Sequence, residues 1–80
     1  MYRDISSDDL AELRFEGYGF NALFAVARVT CTQCSVEYRP VTRPCQHKDE
    51  AVDQLVALIR AAGWRALIAG GPICPQCQST

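Results

Sequence analysis

Two cysteine pairs of identical spacing dominate the chemistry available to this chain: Cys31-Thr-Gln-Cys34 and Cys74-Pro-Gln-Cys77. Cysteines three apart can approach one ion from a single tight turn, each pair supplying half of a tetrahedron. Four thiolates are a common complete ligand set for structural zinc. The gap between the pairs, residues 35–73, exceeds the roughly 15–20 residues usual in paired Cys-x-x-Cys sites. An inserted strand and helix account for the excess. Redox chemistry is the rival reading, since a thioredoxin-like dithiol also uses Cys-x-x-Cys. That dithiol sits at a helix start, and neither pair here precedes a convincing helix.

Cys45 and His47 form a third, looser candidate between the pairs. They are alternative ligands, able in principle to replace one thiolate or to begin a second site with Asp49 or Glu50. The favoured reading is a spare thiol in a proline-flanked loop and a histidine just ahead of a helix, because no other histidine exists to complete a second site. Arg28, Arg39, Arg43 and Arg65 make a candidate binding surface for phosphate or an acidic protein, with scattered solvated arginines as the default.

The elements that must position these groups follow from the periodicity. Residues 48–62 carry Val52, Leu55, Val56 and Ile59 at helical spacing, with Asp49, Glu50 and Asp53 early and Arg60 late. That order suits the helix dipole, and Gly63 is a natural stop. Residues 20–30 alternate with both faces apolar, which fits a strand buried on both sides or, over the first part, a buried helix turn, and Val29-Thr30 favour a strand at its end. "SVEYRPV" reads as its partner, ended by Pro40. "WRALIAG" is a third short strand, with Trp64 expected to pack against the helix, and Gly70-Gly71-Pro72 turns the chain into the second pair. At the other end, Ser6 or Ser7 caps a predicted N-terminal helix whose first turns hold Asp8, Asp9 and Glu12, broken at Gly17 and Gly19. The expectation is a single domain over residues 1–80 with residues 1–17 as a helical extension. Its fold class is α+β: a small antiparallel sheet, one long packed helix and a four-cysteine zinc site.

Composition bounds the function. A chain of 80 residues buries a modest core and benefits from a staple, and an odd count of five cysteines leaves one thiol outside any full set of pairs. The most apolar run, from Phe20 to Val29, is half the roughly 20 residues a membrane helix needs and contains Arg28. No secretory pattern opens the chain, so a soluble cytoplasmic protein is expected, where thiols stay reduced. Net charge is −1. The first sixteen residues are acidic and the centre mildly basic, which suggests opposed patches and disfavours a polyanion-binding surface.

From Cys31 to Cys77 the chain resembles small zinc-ribbon proteins of the phage and prophage type, with a helix between the two knuckles. "VTCTQC", "AAGWRAL" and "ICPQC" carry the resemblance. It implies Cys31, Cys34, Cys74 and Cys77 as ligands of one structural zinc, with Gly63-Trp64 as the helix-to-strand corner. Such knuckles usually place glycine just after the second cysteine, where this chain has Ser35 and Gln78. The resemblance says much about fold and little about activity. With no catalytic arrangement in the sequence and no open position on a four-thiolate zinc, the expected function is non-enzymatic: a zinc-stabilised protein-binding module, regulating or inhibiting a larger machine such as a host defence complex (an anti-CRISPR-like role) or a polymerase. The acidic N-terminal helix and the loop at 40–47 would be its contact surfaces. The alternative is a nucleic-acid-binding ribbon using the four arginines. A second copy of the chain is a further candidate partner, since strands with two apolar faces need covering.

Overall fold

The computed structural model describes residues 1–17 and 23–78. Six strands and one long helix follow in the order β1 (Tyr2–Arg3), β2 (Ala11–Gly17), β3 (Leu23–Thr30), β4 (Glu37–Tyr38), α1 (Lys48–Ala61), β5 (Arg65–Leu67) and β6 (Pro72–Ile73). They build two three-stranded antiparallel sheets, ordered β2-β3-β4 and β1-β5-β6. The architecture is α+β, elongated to 45 × 19 × 18 Å.

Helix α1 buries Ala51, Leu55, Val56 and Ile59. Each large apolar side chain so buried contributes about 1.5–3 kcal/mol. Against it lies β3, whose Ala25, Ala27 and Val29 are buried while Val26, Arg28 and Thr30 are only half-covered. The strand is therefore fully buried on one face, not two. The expected start of this strand, Phe20 to Ala22, lies outside the described residues, as do Tyr18 and Gly19 of the expected helix break. Beyond β4 the chain keeps running beside β3. Thr42 N donates to Ala25 O at 3.1 Å, and the backbones of Cys45 and Leu23 exchange hydrogen bonds of 2.8 and 3.1 Å.

The helix ends as its sequence implies. Gly63 adopts a left-handed φ of 94°. Its N–H donates to Arg60 O at 2.9 Å and that of Trp64 to Ile59 O at 3.3 Å, the paired bonds of a Schellman cap. Trp64 is buried, stacks on Tyr38 with ring centroids 6.4 Å apart, and joins the core formed with Ile5, Val29, Val56 and Ile59.

The N-terminal segment is not the expected helix. Its capping signature is genuine, since Ser6 N donates to Asp9 Oδ2 at 2.9 Å, but only a single 3-10 turn over Ser7–Asp9 follows. Arg3 clamps both carboxylate oxygens of Asp9 at 2.8 Å. Residues 11–17 then form β2 along β3. Leu10 and Leu13 alone make too narrow a stripe to hold a helix on the core, whereas a strand gains a whole backbone ladder. One residue too many is absorbed near Glu12, which takes a left-handed φ of 57° at a bulge between Ala11 and Arg14.

Candidate metal centre

The first cysteine pair leaves the end of β3. Cys31 N donates to Val36 O at 2.9 Å and Ser35 N to Cys31 O at 3.0 Å, closing a tight turn. Ser35 holds a φ of 66°, so the turn has the left-handed residue that such knuckles usually fill with glycine. The second pair leaves β6 and enters a 3-10 turn over Pro75–Gln78, where Cys77 N donates to Cys74 O at 3.1 Å. Proline suits the first position of that turn, where an N–H would have no intrahelical partner. Gln78, in the other glycine position, uses its amide instead: Nε2 donates to Gly63 O at 2.9 Å and to Ile73 O at 3.0 Å.

The two turns are tied to each other before any metal is considered. Both Thr32 N and Thr32 Oγ1 donate to Pro72 O, at 2.9 and 3.1 Å. Gly71 lies so close that a Cβ there would meet Thr32 Cγ2 at 2.7 Å. The sheet holding β6 is thus hydrogen-bonded to the first knuckle, which hangs from the other sheet.

This framework brings Cys31, Cys34, Cys74 and Cys77 together, with their four sulfurs all within 4.8 Å of one another. Cys31 and Cys77 are 3.7 Å apart and Cys34 and Cys74 3.5 Å. A tetrahedral zinc with sulfurs at about 2.3 Å sets sulfur–sulfur edges of about 3.8 Å. A disulfide would need about 2.05 Å. The spacing therefore matches ligands around a shared ion, and the donor set fits a soft or borderline metal.

Electrostatics favour the same use. Burial raises the Cys31 thiol, but the amides of Cys74, Cys34 and Gln33 donating to its sulfur more than reverse this and hold it down to about 6. Gln33 N lies 3.4 Å from that sulfur. At Cys34 the Val36 amide favours the thiolate, yet the neighbouring Cys74 thiol and burial prevail and raise it. Cys77 is pushed up to about 12, first by its hydrogen bond to Cys74, then by Cys34, burial and the charge of Cys31. One thiolate forms readily here and resists the next. A cation is what lets several coexist.

The remaining candidates are placed elsewhere. Cys45 is 2 % exposed in a second core cluster with Ala25, Ala27, Ala51 and Leu55, and its Sγ–H donates to Arg43 O at 3.1 Å. It is a core thiol, not a loose one in a loop. His47 is exposed and supplies the backbone N-cap of α1. Neither joins the four-sulfur group. Arg28 lies 3.6 Å from Glu12 and 3.4 Å from Glu37, and Arg39 is 3.3 Å from the same Glu37. Those two meet at a shared carboxylate. Arg43 instead borders a groove along α1, and Arg65 stands on β5 of the other sheet.

One feature beside the centre escapes the residue patterns. A groove of about 270 Å³ runs between the knuckles, walled by Val36, Tyr38, Trp64 and Pro75. Val36 is 47 % exposed there. In the sequence Val36 reads as an ordinary apolar residue of the strand that follows the first pair, so nothing there marks a groove. Comparison with protein-family models, curated proteins and solved structures finds no match for this chain. The zinc-ribbon resemblance accordingly rests on the cysteine pairs and the elements between them.

Proposed function

We propose that this protein is a non-enzymatic binding module whose fold is closed by one zinc ion held by Cys31, Cys34, Cys74 and Cys77. The four-sulfur cluster at tetrahedral spacing carries the reading. Four protein thiolates fill a tetrahedral ion, leaving no position for a water or substrate, so the metal's contribution is structural. When bound, zinc supplies charge neutralisation and cross-links the two sheets.

The recognition surface we assign to the groove between the knuckles. Its walls come from both of them: Val36 and Tyr38 follow the first pair, and Pro75 lies within the second. Metal binding and assembly of the groove are then one event. An apolar slot with an exposed valine and a stacked aromatic pair suits a side chain of a protein partner, as expected of a small regulator or inhibitor. Nucleic-acid binding is the second reading. The carboxylates on Arg28 and Arg39, and the separation of Arg65, count against it, because phosphate contacts supply most such affinity.

Elemental analysis of the purified chain tests the metal, with one zinc per chain expected and a folded, metal-free chain as the contrary result. Mobility shift with duplex and single-stranded DNA at low salt tests the second reading. A retained protein partner lost on Val36→Glu, with zinc content and fold unchanged, tests the groove.

A further inference from the structure

The outer face of α1 is built to receive another helix. Ala57 and Ala61 stand exposed one turn apart, forming a low ridge with no long side chain. To one side runs an apolar groove of about 530 Å³ bordered by Val41, Arg43, Gln54 and Leu58. Val41 is 59 % exposed and Leu58 39 %, both large apolar groups without a neighbour to cover them. To the other side a second groove, of about 370 Å³, is bordered by Ser6, Asp53 and Arg60. A ridge between two grooves is the surface that helix packing uses, and alanine permits axes to approach to about 8 Å.

Charge selects the occupant. Asp53 has no ion-pair partner among the described residues. Arg60 uses its Nε–H on Ile5 O at 3.1 Å, and no described carboxylate reaches its guanidinium. These opposite charges border the same groove, Asp53 four residues before Ala57 and Arg60 three after. A twofold axis between two antiparallel helices exchanges their ends and keeps each flank on its own side. Asp53 then faces the partner's Arg60, and the reciprocal pair forms as well. A twofold axis running along two parallel helices would instead carry the partner's charged flank to the opposite side of the contact, where Asp53 and Arg60 meet no opposite charge.

We propose that the chain associates with a second copy of itself through α1, the two helices crossing antiparallel at Ala57 with Leu58 and Val41 covered and two Asp53–Arg60 pairs at the rim. Such an interface is isologous, the commonest closure among homo-oligomers. It shares no residue with the groove between the knuckles, so it goes beyond the function proposed above.

Sedimentation equilibrium on the zinc-loaded full chain, from micromolar to millimolar concentration, decides this. The expected species has twice the 8.9 kDa chain mass. Ala57→Arg, at an exposed helical position that arginine favours, should give a monomer with wild-type zinc content and far-UV circular dichroism. Should that variant fold poorly, Asp53→Lys decides instead, weakening the dimer by roughly tenfold or more. Mixing Asp53→Lys with Arg60→Glu should restore association between the two variants. A wild-type chain that stays monomeric throughout overturns the proposal. So does a dimer that Ala57→Arg and Asp53→Lys leave at wild-type strength, which would move the contact to another surface, such as the edge of β2.

Discussion

Gly63 and Pro75 touch across the corner of the molecule: a Cβ at Gly63 would stand 3.0 Å from Pro75 Cγ. The residue that ends α1 is thereby also the floor under the second cysteine turn, and Gln78 Nε2 donates to the Gly63 carbonyl at 2.9 Å. Gly63→Ala should cost about 1–2 kcal/mol for the left-handed backbone alone, with the contact adding to it. Urea unfolding of the zinc-loaded protein measures the loss, and a competing chelator should strip the variant faster than the wild type. A stability equal to wild type would show that the corner is not packed as described.

Ser35 offers the opposite experiment. Its φ of 66° strains any residue with a Cβ, and its side chain is exposed, so nothing is lost by removing it. Ser35→Gly should raise stability by about 0.5–1 kcal/mol, net of glycine's greater freedom when unfolded. The shift in urea midpoint at fixed zinc checks this.

The two classes of cysteine should separate cleanly. Cys74→Ser removes a buried thiol of the proposed zinc site and should abolish stoichiometric zinc binding along with the cooperative unfolding transition, because a bound structural metal couples its binding to folding. Cys45→Ser leaves a hydroxyl that can still donate to Arg43 O. It should keep one zinc per chain at a cost of about 1 kcal/mol for a buried polar atom. Metal content of the two variants, measured side by side, is the check.

Acid should act in part through Asp9. The bidentate hydrogen bonds from Arg3 hold its carboxyl below the ordinary 3.8, opposed by burial and helped by the Ser6 amide. A group with a depressed folded-state pKa stabilises the fold above its unfolded value, and that stability is lost as pH falls through the folded one. Below about pH 5 the wild type should therefore lose stability faster than Asp9→Asn, the two curves converging at low pH. Taking the difference between the variants cancels whatever acid does to the metal site, which both share. Parallel curves from neutral to acid would mean that the Arg3–Asp9 clamp is not formed in solution.

The local features of this chain can be read without its fold. Two cysteines three apart must close into a turn if both sulfurs are to reach one ion, and both pairs do so here. The apolar spacing of residues 51–59 and the stop at Gly63 describe a helix that needs no distant partner to be recognised, and α1 runs from Lys48 to Ala61 accordingly. What tertiary structure alone decided are the matters of competition between distant segments. Ser6 and Asp9 announce a helix, yet residues 11–17 pair with β3, because a ladder to another strand outweighs a local cap, and nothing in "AELRFEG" names its partner. Cys45 looks like a spare thiol in a proline-flanked loop until its backbone bonds with Leu23 carry it into the core. The meeting of the two cysteine turns is of the same kind. It depends on Thr32, Gly71 and Pro72, whose contacts join segments some forty residues apart. Hydrogen-bonded turns and helices are fixed over a few bonds, whereas strand register and the convergence of turns depend on the whole chain closing at once.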